Sequence, residues 1–276
     1  MRLGLDKRKR VVMKFADINW DSVESQIDGF GKKPPFDYVV IDDFFNEEFA
    51  QTLSSEFPAY ESDTWHGYNN RIEVKKVCNN WNLFPANTYK VFSYFNSEEW
   101  LNYLSLKLTD GKKLHGDSGL NGGGWHTHKQ GGKLNTHLDY SVHPKLGLQR
   151  KLNIIIYMNP NWQEDWGGAL GLWGNESAEK PGDLMVLVRN KFNRAVIFDT
   201  TQNSWHGLPE PLTCPPSEAR QSLAAYFLCE APKGVDERGK ALYAPTKEQE
   251  NDDEVLELIK KRSNVASAAS VYNDKA

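Results

Sequence analysis

The sequence predicts a mainly β protein with flanking helices, built on a double-sheet jelly-roll core, and three observations carry that expectation. From about residue 130 to 230, short runs rich in β-branched and aromatic residues alternate with Gly, Pro and Asn turns, with almost no helical periodicity between them. Upstream, apolar residues recur at helical spacing in two capped segments. Third, His137 and Asp139 stand two apart in a strand-like stretch, where such residues share a face.

Length and composition bound the rest. A chain of 276 residues, 39% of them hydrophobic and with nine Trp, eleven Tyr and thirteen Phe, can bury a sizeable core as one large domain or two small ones. Its net charge of −4 removes the electrostatic argument for a nucleic-acid partner or an anionic membrane surface. No run approaches the roughly 18 apolar residues of a spanning helix, and charges occupy the N-terminus where a secretory apolar core would follow. A cytoplasmic protein is expected, without nucleic-acid or membrane partners. Cys78, Cys214 and Cys229 are odd in number and lack C-x-x-C spacing, so they read as buried thiols.

Residues 1–35 form a polar N-terminal extension with a short basic run, Lys7 to Arg10, closed by the turn-rich Gly29 to Pro35. Phe36 to Asp42 reads as a strand. Asn46 then caps a helix whose Phe49, Leu53 and Phe57 fall on one face, and Pro58 stops it. Residues 60–95 look irregular, apart from a strand near Arg71 to Val77. Ser97 caps a second helix with Trp100, Leu101, Leu104 and Leu108 inward.

From about residue 116 the jelly-roll core begins. Gly119, Gly122, Gly123 and Gly124 suggest a flexible loop into Trp125 to His128, and Gly131-Gly132 turns the chain into the strand of His137. No Gly-Lys-Ser/Thr follows, so a phosphate loop is discarded. Leu152 to Met158 reads as a strand buried on both faces, and Leu170 and Leu172 share a side of the next. Pro181-Gly182 is expected as a turn between strands; Leu184 to Val188, Arg194 to Asp199 and Ser222 to Glu230 complete the series. The main unit is thus 36–230, followed by a C-terminal extension, 231–276, with a surface helix over Lys247 to Arg262 and a fraying end.

His137 and Asp139, joined by His206 about 70 residues later, make a two-histidine, one-carboxylate face that suits non-haem Fe(II) and leaves coordination positions open. An H-x-D match alone is common and is more often a solvated or core pair. Arg220 follows His206 by fourteen residues at the head of a strand, where a planar, permanently charged fork can hold a carboxylate bidentately. Ser222 shares its face. His66, His115 and His143 have no spacing partner and read as surface or structural residues, while His126 and His128 mimic a ligand pair but lack a carboxylate.

On these residues the chain resembles the Fe(II)- and 2-oxoglutarate-dependent dioxygenases, in their prolyl-4-hydroxylase-like branch. Lys133-Leu-Asn-Thr-His-Leu-Asp139, Arg150-Lys-Leu-Asn-Ile-Ile-Ile-Tyr-Met-Asn159, Trp166-Gly-Gly-Ala-Leu-Gly-Leu-Trp173, Trp205-His206 and Arg220-Gln-Ser222 follow that branch's order, and the resemblance spans roughly 36–230. It implies a double-stranded β-helix core; Fe(II) on His137, Asp139 and His206; the distal carboxylate of 2-oxoglutarate on Arg220, with Tyr157 donating to it and Ser222 nearby; and ascorbate as a supporting reductant. The implied reaction hydroxylates a prolyl or other residue of a protein or peptide, releasing succinate and CO₂. A hydroxylase of a free amino acid or small metabolite is the alternative, and a non-catalytic metal- or ligand-binding jelly roll is the rival from another class. Two departures stand out: His126, Thr127 and His128 occupy the region where the branch often carries a Tyr, and Pro209 to Pro216 lengthen the interval before Arg220.

Overall fold

The computed structural model describes residues 15–264, so the basic run at Lys7 to Arg10 and the expected fraying end lie outside the described residues. Two antiparallel sheets face each other. The larger has nine strands: β1 (Tyr38–Ile41), β11 (Ala195–Asp199), β8 (Gln149–Tyr157), β13 (Arg220–Cys229), β5 (Gly124–His128), β3 (Glu73–Cys78) and β2 (His66–Asn69) in that order, with β4 (His115–Gly116) on β13 and β6 (Lys133–Leu134) on β3. The smaller has five: β10 (Lys180–Val188), β9 (Leu170–Ser177), β12 (His206–Gly207), β7 (His137–Leu138) and β14 (Leu242–Tyr243). This is the expected jelly-roll core.

Strand alternation divides the large sheet into two working faces. Leu152, Ile154, Ile156 and Met158 of and after β8, with Leu223, Ala225, Phe227 and Cys229 of β13, point outward and pack against helices. The intervening Asn153, Ile155, Arg220, Ser222, Ala224 and Tyr226 point inward, to the space between the sheets. The outer face is covered by α1 (Trp20–Gln26), α2 (Glu47–Ser55), α3 (Ala86–Phe95) and α4 (Glu98–Leu108), which bring Val23, Leu53, Phe92, Trp100 and Leu104 into one apolar core. Burying each such side chain contributes roughly 1.5–3 kcal/mol.

The two expected helices are present, and Ser97 accepts from the Trp100 amide as the α4 cap. Asn46 occupies the N-cap position of α2 without a side-chain cap bond and donates instead to Ala16 O at 2.8 Å. Three readings are corrected. The segment taken as irregular contains α3, whose aromatic inner face obscures any simple polar–apolar repeat. Pro181-Gly182 lies within β10, at a register shift rather than at the turn. The run Gly119 to Gly124 is packed tightly: a Cβ on Gly124 would come within 2.1 Å of Cys78 O, and one on Gly122 within 2.5 Å of the Arg150 guanidinium, both at positive φ.

The first and last described segments belong to the same packed unit. Ile18, Val23 and Ile27 enter the main core. At the other end β14 pairs with β7, and α5 (Asp253–Ser263), expected as a surface helix, buries Val255, Ile259 and Arg262 against Ile72 and Tyr243. Cys78, Cys214 and Cys229 are free and buried. Among the described residues no helix is long and apolar enough to cross a membrane.

Candidate active site

Antiparallel pairing of β7 with β12 sets His137 directly opposite His206, with ring centroids 4.3 Å apart. Leu138, between the first two candidate ligands, turns away into a cluster with Trp205 and Ala244. Asp139 returns to the site, and one ligand atom from each of His137, Asp139 and His206 lies within 4.8 Å of the others. Both imidazoles are oriented by the backbone: His137 Nδ1 meets Asn135 O at 3.0 Å, and His206 Nδ1 meets Ser204 O at 2.8 Å. Donation from each Nδ1 leaves Nε2 as the lone-pair nitrogen, and those atoms stand 3.8 and 3.9 Å from the Asp139 carboxylate. Burial, reinforced by His206, pushes His137 down to about 3, so its ring is neutral and ready to ligate.

Asp139 is held from behind. Tyr226 donates its hydroxyl to Oδ1 at 3.2 Å and Arg150 Nη1 lies 3.4 Å from the same oxygen. Burial alone would raise the carboxyl, but the Arg150 charge, with the Tyr226 hydroxyl, outweighs it and holds it below the usual carboxylate range. Oδ2 is buried with no hydrogen-bond partner. An ionised carboxylate with an idle oxygen, facing two lone-pair nitrogens, fits a divalent cation. Arg150 is fixed between the rings of Tyr140 and Tyr226, 3.3 and 3.4 Å from their centroids, and donates to Asn121 O.

Arg220 projects into the same cavity from β13 and is 4% exposed. Its Nε donates to Gly168 O at 2.9 Å, yet among the described residues no carboxylate pairs with it. Register places Arg220 opposite His128, and Ser222 between His126 on β5 and Tyr157 on β8. Tyr157 is fully buried, its ring 5.0 Å from the Arg220 guanidinium and its hydroxyl without a hydrogen bond of normal geometry. Burial raises that hydroxyl's pKa, with Arg220 opposing, so it stays a donor. His126 Nε2 and both nitrogens of His128 are also unpartnered. A buried guanidinium lacking an anion, ringed by idle polar groups, fits a carboxylate ligand.

The structure thus gathers all six sequence-predicted residues around one interior space, with Tyr157 in the wall behind Arg220 rather than at the cavity surface. Of the other histidines, His66 is exposed, His115 pairs with Glu230 at 3.3 Å, and buried His143 accepts from the amides of Lys145 and Leu146.

Several contributors escaped the sequence reading. Tyr226 was recoverable, because it continues the inward series Arg220, Ser222, Ala224. Arg150 was not: counting back from Tyr157 by twos reaches Lys151, but a register shift between Phe227 and Leu228 turns Arg150 inward. The C-terminal segment gave no local signal. Tyr243 pairs with His137 in register and stacks on its ring at 5.1 Å and 25°. Asn135, whose carbonyl holds His137, donates its amide to Ala244 O at 3.1 Å and Gln249 Oε1 at 2.6 Å.

Residues 123–228 match the family model described as the 2OG-Fe(II) oxygenase superfamily. Among curated proteins, the prolyl 3-hydroxylase OGFOD1 of Xenopus laevis is 29% identical over 91 residues, which is 32% of this chain and 17% of that protein. The Mus musculus protein of the same name is 27% identical over 78 residues, 28% of this chain and 14% of its own. The chain therefore aligns with less than a fifth of the length of these relatives. Two solved structures share the fold. A Pseudomonas putida prolyl-4-hydroxylase superposes with a TM-score of 0.51 at 14% identity, covering 76% of this chain and 97% of that one. A Trichoplax adhaerens prolyl hydroxylase, in complex with a hypoxia inducible factor oxygen degradation domain peptide fragment, gives 0.53 at 16% identity, covering 76% and 88%. The matched segment is a 2OG-Fe(II) oxygenase domain.

Proposed function

We propose that the protein uses this domain as a 2-oxoglutarate- and Fe(II)-dependent hydroxylase of a prolyl or other residue in a protein or peptide. The observation that carries the reading is the pairing, within one cavity, of a His137–Asp139–His206 cluster with a buried, anion-free Arg220. A zinc hydrolase or a simple binding jelly roll accounts for the cluster but not for the buried cation. The prolyl hydroxylases among the similar proteins support a protein or peptide substrate. Three buried free thiols support a reducing, cytoplasmic setting.

In this reading His137, Asp139 and His206 hold Fe(II). Bound iron supplies the activation of dioxygen that oxidises the substrate C–H bond while 2-oxoglutarate becomes succinate and CO₂, with ascorbate as a supporting reductant. The chain's own part is positioning. Arg220 receives the distal carboxylate of 2-oxoglutarate as a charge-assisted fork, Tyr157 donates its hydroxyl to the same group, and Ser222 offers a further donor from the adjacent inward position. Arg150 and Tyr226 occupy Oδ1 of Asp139, which leaves Oδ2 to face the metal. Leu134, Leu170 and Leu208 line the cavity and exclude water from it.

Anaerobic titration of the Fe(II)-loaded protein with 2-oxoglutarate tests this. A weak visible charge-transfer band from the chelated keto acid is expected, with Arg220→Ala needing about a hundredfold more co-substrate, the effect of losing a buried charge-pair partner worth 2–5 kcal/mol. Iron-loaded wild type that develops no band would sink the reading.

A further inference from the structure

His128 lines the cavity, is 3% exposed, and has no hydrogen-bond partner at either ring nitrogen. Its neighbours limit what can fill that role. Register sets Arg220 of β13 beside it on one side. On the other side β3 pairs with β5 so that Lys76 faces Thr127, which brings Lys75 next to His128. The imidazole therefore stands in a row between two cations on adjacent strands, and all three groups line the same space.

A neutral imidazole carries one N–H and one lone pair. Burial keeps His128 neutral, with the charges of Arg220 and Lys75 acting in the same direction. Guanidinium and ammonium groups only donate, so either neighbour can serve the lone pair and neither can accept from the N–H. The groups whose charge acts on His128 are Arg220, Lys75 and His126, and none is an anion. A buried N–H without an acceptor is destabilising, and a ligand that carries an acceptor relieves it. His126, two residues back on the same face, is set up differently. The backbone of Gly122 and Gly123 favours a proton on its other nitrogen, which leaves Nε2 as an idle lone pair. That lone pair repels a carboxylate where the His128 N–H attracts one.

We propose that His128 is a co-substrate-binding residue whose N–H donates to the carboxylate received by Arg220, so that this end of 2-oxoglutarate is read by an uncharged donor as well as by the guanidinium fork. The proposal rests on the dioxygenase reading for the identity of the ligand. Side chains paired across neighbouring antiparallel strands start about 5 Å apart at Cβ, close enough to share one carboxylate, and its two oxygens accept about four hydrogen bonds. The imidazole adds direction without adding charge, which favours a carboxylate over the apolar end of another 2-oxo acid.

The test uses the full chain loaded with Zn(II), titrated calorimetrically with 2-oxoglutarate and with 2-oxopentanoate, which has the same carbon chain and no distal carboxylate. His128→Phe keeps a ring and removes the N–H, whereas His128→Asn and His128→Gln return an amide N–H near the position of Nδ1 or of Nε2. His128→Phe is expected to weaken 2-oxoglutarate binding about tenfold or more, the effect of losing a hydrogen bond to a charged group, and to leave 2-oxopentanoate unchanged. One of the two amide variants should recover most of the affinity, and which one does so identifies the nitrogen that carries the proton. Unchanged 2-oxoglutarate affinity in His128→Phe overturns the proposal. So does an equal loss for both acids, which marks a merely structural role, or failure of both amide variants to recover. Failure of the dioxygenase reading is visible separately: wild type then binds the two acids alike, and Arg220→Ala changes neither.

Discussion

The two walls of the cavity are built on different plans. One wall, β13 with β8 and β5, comes from the matched domain and presents its groups by strand alternation: Arg220, Ser222 and Tyr226 from one strand, His126 and His128 from its neighbour. The other, β3, β14 and α5, lies outside that segment and is assembled from distant pieces, with 189 residues separating Glu73 from Arg262 and 109 separating Asn135 from Ala244. The first wall and β7–β12 supply the groups proposed to touch metal and co-substrate. The second orients them, through the Tyr243 ring on His137 and through Ala244 and Gln249, which hold the Asn135 amide and with it the carbonyl that meets His137 Nδ1. Reactive groups can therefore sit inside a recognisable segment while the contacts that aim them come from elsewhere in the chain.

Removing Asp139 should produce the largest effect. Asp139→Ala takes away the negative charge of the cluster and leaves Arg150 buried without its partner, so metal retention after dialysis and succinate formation should both fall to background. A variant that keeps stoichiometric iron would mean that the first wall and its neighbours are not the metal centre. The second wall is probed by Tyr243→Leu and Asn135→Ala. Each should weaken Zn(II) or Fe(II) binding about ten- to hundredfold in a chelator competition, the range for groups that orient a ligand. Tyr243→Phe, which keeps the stacked ring, should recover most of the loss. Unchanged affinity in both variants would reduce the second wall to scaffolding.

A third effect is read on stability rather than on metal binding, along its acid limb, and it belongs to the first wall. Burial holds His126 down to about 3 and His128 well below its usual value. Both imidazoles are neutral in the folded state, whereas the unfolded chain protonates them near pH 6.5. The unfolded state thus binds more protons below that pH. The contribution is fully present above about pH 6.5 and is withdrawn as pH falls, by about 1.4 kcal/mol per pH unit for each histidine, down to about pH 3 for His126. Denaturant midpoints of the metal-free protein between pH 7 and 5 check this, and His126→Gln with His128→Gln should flatten the slope.

What could be read in advance follows the same division. The H-x-D pair, His206 and Arg220 were legible because strand geometry ties spacing to facing, and the outward apolar series of β8 and β13 made the sheet legible for the same reason. Arg150 was hidden by one register shift, which inverts the parity on which such counting depends. The fit of Gly122 and Gly124 was hidden because crowding by Arg150 and Cys78 is a property of the fold, while the local string reads only as freedom. Tyr243 and Arg262 were hidden because pairing across more than a hundred residues leaves no periodic trace.

The bond between Asn135 and Ala244, closing a loop of 109 residues, also orders events during translation. β7 leaves the ribosome long before β14 and α5 exist, so a nascent chain can display His137 and Asp139 without anything to hold the imidazole in place. Metal acquisition is then the act of a finished chain. A product arrested near residue 230 would carry every proposed ligand and still lack the part that holds the first of them steady.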